Sequence, residues 1–240
     1  MPFTASAVNY DDAAEVPKKN MKTFYHTDTH WRALWKPTPL NEIIEGATAR
    51  MLHRLAGGRE KKGHQKAVDD DNGEVVGYAR WSLLGDDDRI SWPEADVREL
   101  KQDEADGFRA AFHANTDGGS ISDKDGKLQA ALGLPLEETE IAAMRSQEGP
   151  FLVLDYLAVH LDHRRKGIAS ASVRSGLERA NAVGMKVWVM ATKTAQPMYE
   201  KLGFALVDSV KTSVTEFGIA EPHEKAFLMK RWSSPPRYWA

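Results

Sequence analysis

Phe151-Leu152-Val153-Leu154-Asp155-Tyr156-Leu157-Ala158-Val159-His160 runs straight into Leu161-Asp162-His163-Arg164-Arg165-Lys166-Gly167-Ile168-Ala169-Ser170. The first nine residues are apolar on both alternating faces apart from Asp155, the pattern of a central strand covered on two sides. The next residues form a basic, glycine-containing turn. Beyond it Ala169, Val173, Leu177 and Ala180 make a helical stripe that Gly184 stops. Residues 186–191 are a second apolar run, and residues 195–202 a short helix closed by Gly203. Strand, turn, helix, strand makes the class α/β.

Outward from this unit the pattern is weaker. Residues 3–8 suit an edge strand, and residues 11–25 a helix if Pro17 sits in its first turn. Residues 27–39, with two tryptophans and two prolines, are expected to be an irregular loop. Ile44, Ala47, Met51, Leu52 and Leu55 recur at helical spacing from Asn41 to Gly57-Gly58. Residues 65–68 and 74–84 read as strands joined by an Asn72-Gly73 hairpin. Residues 85–149 stand apart, with 16 acidic and 7 basic side chains. Helices are expected there over 93–113, with Pro93 in the first turn, and over 136–145, with a flexible loop at 115–127. This insertion is either a solvated surface or a lid. Two further paired strands follow at 205–214 and 226–232, then an irregular tail.

Composition excludes several chemistries. The 240 residues include no cysteine, so there is no disulfide, thiolate metal site or thiol nucleophile. A net charge of -3 gives no general case for nucleic acid, and no apolar run is long enough for a membrane helix. The N-terminus has no signal-peptide pattern, so a cytoplasmic protein is expected. His160 and His163 lie on a turn without an evident third ligand, and no metal is expected.

Two features carry chemistry. A turn that opens a helix aims free backbone N–H groups and a positive dipole end outward. With Arg164, Arg165 and Lys166 beside Gly167, that suits a pyrophosphate, although an ordinary basic loop has the same composition. Asp155 is the one charge in a nine-residue apolar run. A carboxylate there is costly unless paired or facing a wet cleft, and burial would push it toward the range of a useful base. By alternation it shares a face with Val153, Leu157 and Val159. It is either a base, the partner of an arginine, or a binding site for a cation.

Arg164-x-x-Gly167-x-Ala169, after a strand and opening a helix, resembles the acetyl-CoA motif of the GNAT N-acetyltransferase superfamily. Ala195-x-x-x-Tyr199-x-x-x-Gly203-Phe204 resembles its second signature, and Leu157-Ala158-Val159-His160 the preceding strand of small-amine members. The resemblance covers residues 151–204. It implies a GNAT-like mixed, mostly antiparallel sheet with flanking helices and a helical insertion before the central strand. The whole of 1–240 would be a single acetyltransferase domain, with 85–149 as the insertion. It implies acetyl-CoA as co-substrate, held by backbone groups of Leu157 and Val159 and by the N–H groups of Arg165, Lys166, Gly167, Ile168, Ala169 and Ser170. Many members carry an asparagine where this chain has Thr192, whose hydroxyl could take over that contact. Tyr199 would protonate the departing thiolate, although a packing aromatic fits the same pattern. Asp155 would deprotonate a small-molecule amine. Acceptors on proteins or peptides, and a non-catalytic acyl-CoA sensor, are the alternatives. A monomer or homodimer is expected. Trp31, Trp35, Trp81 and Trp92 are candidates for the acceptor pocket or for the core.

Overall fold

A computed structural model describes residues 3–85, 89, 90, 92, 98–116 and 124–232. The first segment gives strand β1 (Phe3–Ala7), helices α1 (Glu15–Thr27), α2 (Thr29–Leu34) and α3 (Leu40–Ala56), and the hairpin β2 (Lys62–Asp69) and β3 (Val75–Leu84). Helices α4 (Gln102–Ala114) and α5 (Gly126–Arg145) precede the central strand β4 (Phe151–Val159). Helix α6 (Ile168–Val183), β5 (Lys186–Thr192), α7 (Gln196–Lys201), β6 (Ala205–Thr212) and β7 (His223–Lys230) complete the chain. The seven strands form one sheet in the order β1-β2-β3-β4-β5-β7-β6, antiparallel everywhere except β4 beside β5. This is the mixed, mostly antiparallel α/β sheet expected.

Each face of the sheet has its own core. On one side α6 covers Trp81, Leu152, Leu154, Val187, Val189 and Leu228. On the other, α5 lies over β6 and β7, and Phe151, Val153, Trp188 and Phe227 pack together there. Tyr78 and Tyr156 on that second face meet α1 and α3 through Val16, Met51 and Leu55. Leu152, Phe227 and Leu228 are fully buried, and side chains of this size stabilise by about 1.5–3 kcal/mol each. Gly176 lets α6 come down on the Trp81 ring: a Cβ there would lie 2.2 Å from the indole.

Three local expectations are corrected. Residues 27–39 are not an irregular loop throughout, because Asp28 caps α2 by accepting from the Trp31 N–H. The helix expected at 136–145 starts ten residues earlier, at Gly126. Asp125 caps it, and Pro135 is tolerated inside it. With Leu128, Leu132 and Ala143 buried, α5 is a sheet-covering element rather than a solvated surface. The helix expected at 93–113 begins at Gln102. Pro93, most of the 115–127 loop and the tail from 233 lie outside the described residues.

Candidate active site

The site is made where β4 and β5 part. Their parallel pairing holds from Phe151↔Lys186 to Leu154↔Val189 and then stops. β5 continues along β7 as far as Thr192↔Lys225, while β4 stays with β3. The cause lies in the β3–β4 register. Arg80 faces Tyr156 and Trp81 faces Leu154, so Asp155 is the extra residue of a bulge, which bends the strand. Past the bulge, β4 is paired along one edge only, and backbone groups on the other are open to a ligand.

The bulge also moves side chains. Leu152, Leu154 and Leu157 pack on the α6 side, and Val159 meets Ile168 of α6. Val153 and Tyr156 belong to the opposite face. Asp155 therefore keeps company with Val153 and Tyr156, and the alternation that grouped it with Leu157 and Val159 fails at the extra residue. Nor is Asp155 buried: its side chain is 30% accessible. Arg80 Nε donates to its Oδ1 at 2.8 Å, and Ser82 Oγ donates to its Oδ2 at 2.7 Å. Burial works against the Arg80 charge, yet Asp155, with Tyr78 and Tyr156, outweighs it and holds the guanidinium above its ordinary pKa. The pairing with an arginine, one of the three readings of Asp155, is thus present, and the carboxylate still lines an open cleft.

That cleft has a volume of about 310 Å³. Asp155, Leu157, Val159, Arg164, Ala169, Thr192 and Tyr199 all line it. Tyr199 is otherwise embedded in the core beside Phe204, ring centroids 5.5 Å apart. Burial pushes its phenol up, so it carries its proton at neutral pH. The Thr192 hydroxyl accepts from the Ala195 N–H at 3.3 Å and sits 3.1 Å from the Thr194 hydroxyl, so it is partly taken up by its own turn.

Arg165, Lys166, Gly167, Ile168 and Ser170 stand beside the cleft rather than in its wall. Arg165 (φ 60°) and Gly167 (φ 85°) are left-handed, a geometry that aims N–H groups into a concavity. Ala171 is the first residue to return its N–H to the Gly167 carbonyl. The amides of Ile168, Ala169 and Ser170 are therefore orphan donors of α6. A Cβ on Gly167 would meet nothing within 4 Å, so the space above the turn is open. The Ile168 side chain is buried against Ala67 and Val76, and Gly77 leaves room for it. Only its backbone is available. The free β4 edge, the orphan donors and the three basic side chains fit an extended arm ending in a pyrophosphate.

Reading the sequence missed the partners of Asp155 and part of the wall. Arg80 and Ser82 alternate on β3, and two polar side chains in one register of a central strand were a usable signal. Phe24, Thr27 and Asp28 from the α1–α2 junction line the cleft. Trp31, Trp35, Trp81 and Trp92 do not. Trp35, Trp81 and Trp92 are buried, and Trp31 lies tilted between Phe24 and Trp35. His163 is buried facing Asp69 at 3.9 Å, and no cluster of three or more metal-binding side chains occurs among the described residues.

A sheet that parts between its two parallel strands, beside a basic turn at a helix N-terminus, is an acetyltransferase framework. Residues 81–204 match the Acetyltransferase (GNAT) family, over half of the chain, and the chain belongs to that family. No curated protein matches it. Among solved structures it is similar to arylalkylamine N-acetyltransferase 2 of Aedes aegypti, with TM-score 0.60 and 15% identity over 96% of this chain and 99% of that one. It is similar to a polyamine N-acetyltransferase of Drosophila melanogaster, with TM-score 0.57 and 12% identity over 96% and 100%. A Corynebacterium glutamicum structure described as histone acetyltransferase HPA2 and related acetyltransferase has TM-score 0.56 and 16% identity over 98% and 99%. At these identities the likeness is one of fold.

Proposed function

We propose that the protein transfers the acetyl group of acetyl-CoA to the primary amine of a small molecule, in one step within a ternary complex. The observation that carries this reading is the gap between β4 and β5. It has the orphan donors of α6 at its rim and Asp155 and Tyr199 on its walls. The pantothenyl arm would lie along the free edge of β4 at Leu157 and Val159. Amides of residues 165–170 would hold the pyrophosphate, with Arg164, Arg165 and Lys166 adding charge. The Thr192 hydroxyl would contact the arm with its remaining capacity.

The chemistry then needs two proton movements. The amine nitrogen attacks the thioester carbonyl, the carbon–sulfur bond breaks, and the acetyl group ends on nitrogen. Asp155 accepts the amine's proton, directly or through a water. Its orientation is fixed by Arg80 and Ser82, and its carboxylate has lone pairs left for the amine. The protonated phenol of Tyr199 donates to the departing thiolate. No cysteine exists to carry an acyl-enzyme. We read residues 1–240 as a single acetyltransferase domain with residues 85–149 as its insertion. Among the described residues no helix is long and apolar enough to cross a membrane. Free-thiol release from acetyl-CoA with a panel of small amines and of peptides tests the reading. Release with small amines and not with peptides is expected; release with peptides alone would overturn the acceptor class.

A further inference from the structure

Beside the catalytic cleft lies a second one of about 220 Å³, and the two share Thr27, Asp28, Thr192 and Thr194. Its wall includes His30, His223 and Lys225. Lys225 pairs with Thr192 of β5 across the sheet. On β7 it lies two residues from Phe227, which packs on the α5 face, so both share the face of Asp155. His223, two residues before, points the same way.

The ammonium of Lys225 makes no hydrogen bond or ion pair among the described residues, and the one acid that supports its charge is Asp28. Burial lowers its pKa, with Asp28 offsetting part of the effect. Asp28 is itself half committed, its Oδ1 capping α2 at the Trp31 N–H, 2.9 Å away. His223 is buried, is pushed down to about 4 by that burial and so is neutral, and its Nδ1 has no partner. Three unused ammonium protons in a half-buried wall are costly unless a ligand takes them. An anionic group supplies what is missing. In the first cleft Asp155 presents a carboxylate to a cation, Asp28 stands where the two clefts meet, and Glu224 in the second wall is taken up by Lys193 and Lys211.

We propose that the acceptor is a zwitterionic amine of the amino-acid type, its ammonium directed to Asp155 and its carboxylate held by Lys225. The proposal rests on the acetyltransferase reading for its choice of the acceptor side. It excludes as preferred acceptors both simple alkylamines and peptide N-termini, which lack a carboxylate next to the amine.

The test is isothermal titration of the full chain, saturated with CoA, using the common L-amino acids and their α-carboxamides. At least one acid is expected to bind ten-fold or more tightly than its amide. Lys225→Met should erase that preference by weakening the acid, with the amide within two-fold of its original value. Lys225→Arg should retain it. Absence of binding by every acid, equal affinity of acids and amides, or equal losses of both in Lys225→Met would overturn the proposal. Thiol release separates the two ideas. A Lys225-dependent carboxylate preference without turnover sinks acetyl transfer alone. Amine-dependent turnover blind to the carboxylate sinks only the amino-acid acceptor.

Discussion

Arg80 Nε meets Asp155 Oδ1 at 2.8 Å at the point where the β3–β4 register slips by one residue. The same slip ends the β4–β5 pairing and turns Asp155 into the cleft, so one local irregularity makes both the gap between the strands and the place of the carboxylate proposed as the base. Asp155→Asn keeps the size of the side chain and removes its charge. It is expected to lower kcat by about 10²–10⁴-fold, the range of a lost general base, while acetyl-CoA affinity stays within two-fold. Arg80→Met strands the carboxylate. The pair is partly solvated, so the loss of stability is about 1–2 kcal/mol rather than that of a fully buried pair. Steady-state kinetics and urea unfolding of the two variants read these effects.

Gly167 separates conformational from electrostatic effects at the turn proposed to hold the pyrophosphate. At φ 85° any side chain is strained, so Gly167→Ala should cost about 1–2 kcal/mol of stability with modest loss of acetyl-CoA binding. Gly167→Glu adds an anion where phosphates are expected and should weaken acetyl-CoA binding by at least ten-fold beyond the alanine variant. Equal affinities of the two variants would place the pyrophosphate elsewhere.

The approach of α6 to the sheet can be tested without any ligand. Gly176→Ala would drive a methyl into Trp81 and should destabilise by about 1–3 kcal/mol, lowering Tm by about 2–12 °C. Gly133, in α5, has nothing within 4 Å of the same position. Gly133→Ala should raise stability by about 0.5–1 kcal/mol through helix propensity. Calorimetry of both variants checks the sign of each.

His64 is fully buried, with Nδ1 2.9 Å from the Tyr78 hydroxyl and Nε2 unpartnered. Burial, then the nearby Arg80, brings its pKa from 6.5 down to about 3. The unfolded chain therefore takes up a proton near pH 6.5 that the folded protein refuses. This group costs nothing above pH 6.5, and stability falls as the pH drops below it, until about 3. Between pH 7 and 4.5 the loss is about 2–3 kcal/mol. His64→Gln should flatten that part of the pH–stability curve, as denaturant unfolding at the two pH values would show.

The central strand and the basic turn were legible because local composition decides them: a nine-residue run apolar on both faces, and a glycine among cations before a helical stripe. The bulge was not legible, because register belongs to two strands and Asp155 looks like an ordinary alternating residue when β4 is read alone. Helix α2, six residues long, is too short to show a period, although Asp28 is a recognisable cap. In α5 the proline at position 135 masked the first half of the helix, while Asp125 marked its true start. Asp28 and Lys225 lie far apart in the chain and share a cleft wall only through the tertiary fold, with β7 folded back beside β5.

The most direct measurement is CoA thiol release from acetyl-CoA in the presence and absence of a small primary amine, for the wild-type protein and for Tyr199→Phe. Acetyl transfer through this site predicts amine-dependent release by the wild type, with kcat at least ten-fold lower in Tyr199→Phe and acetyl-CoA affinity unchanged. Tight acetyl-CoA binding with no amine-dependent release, the same in both proteins, would contradict it.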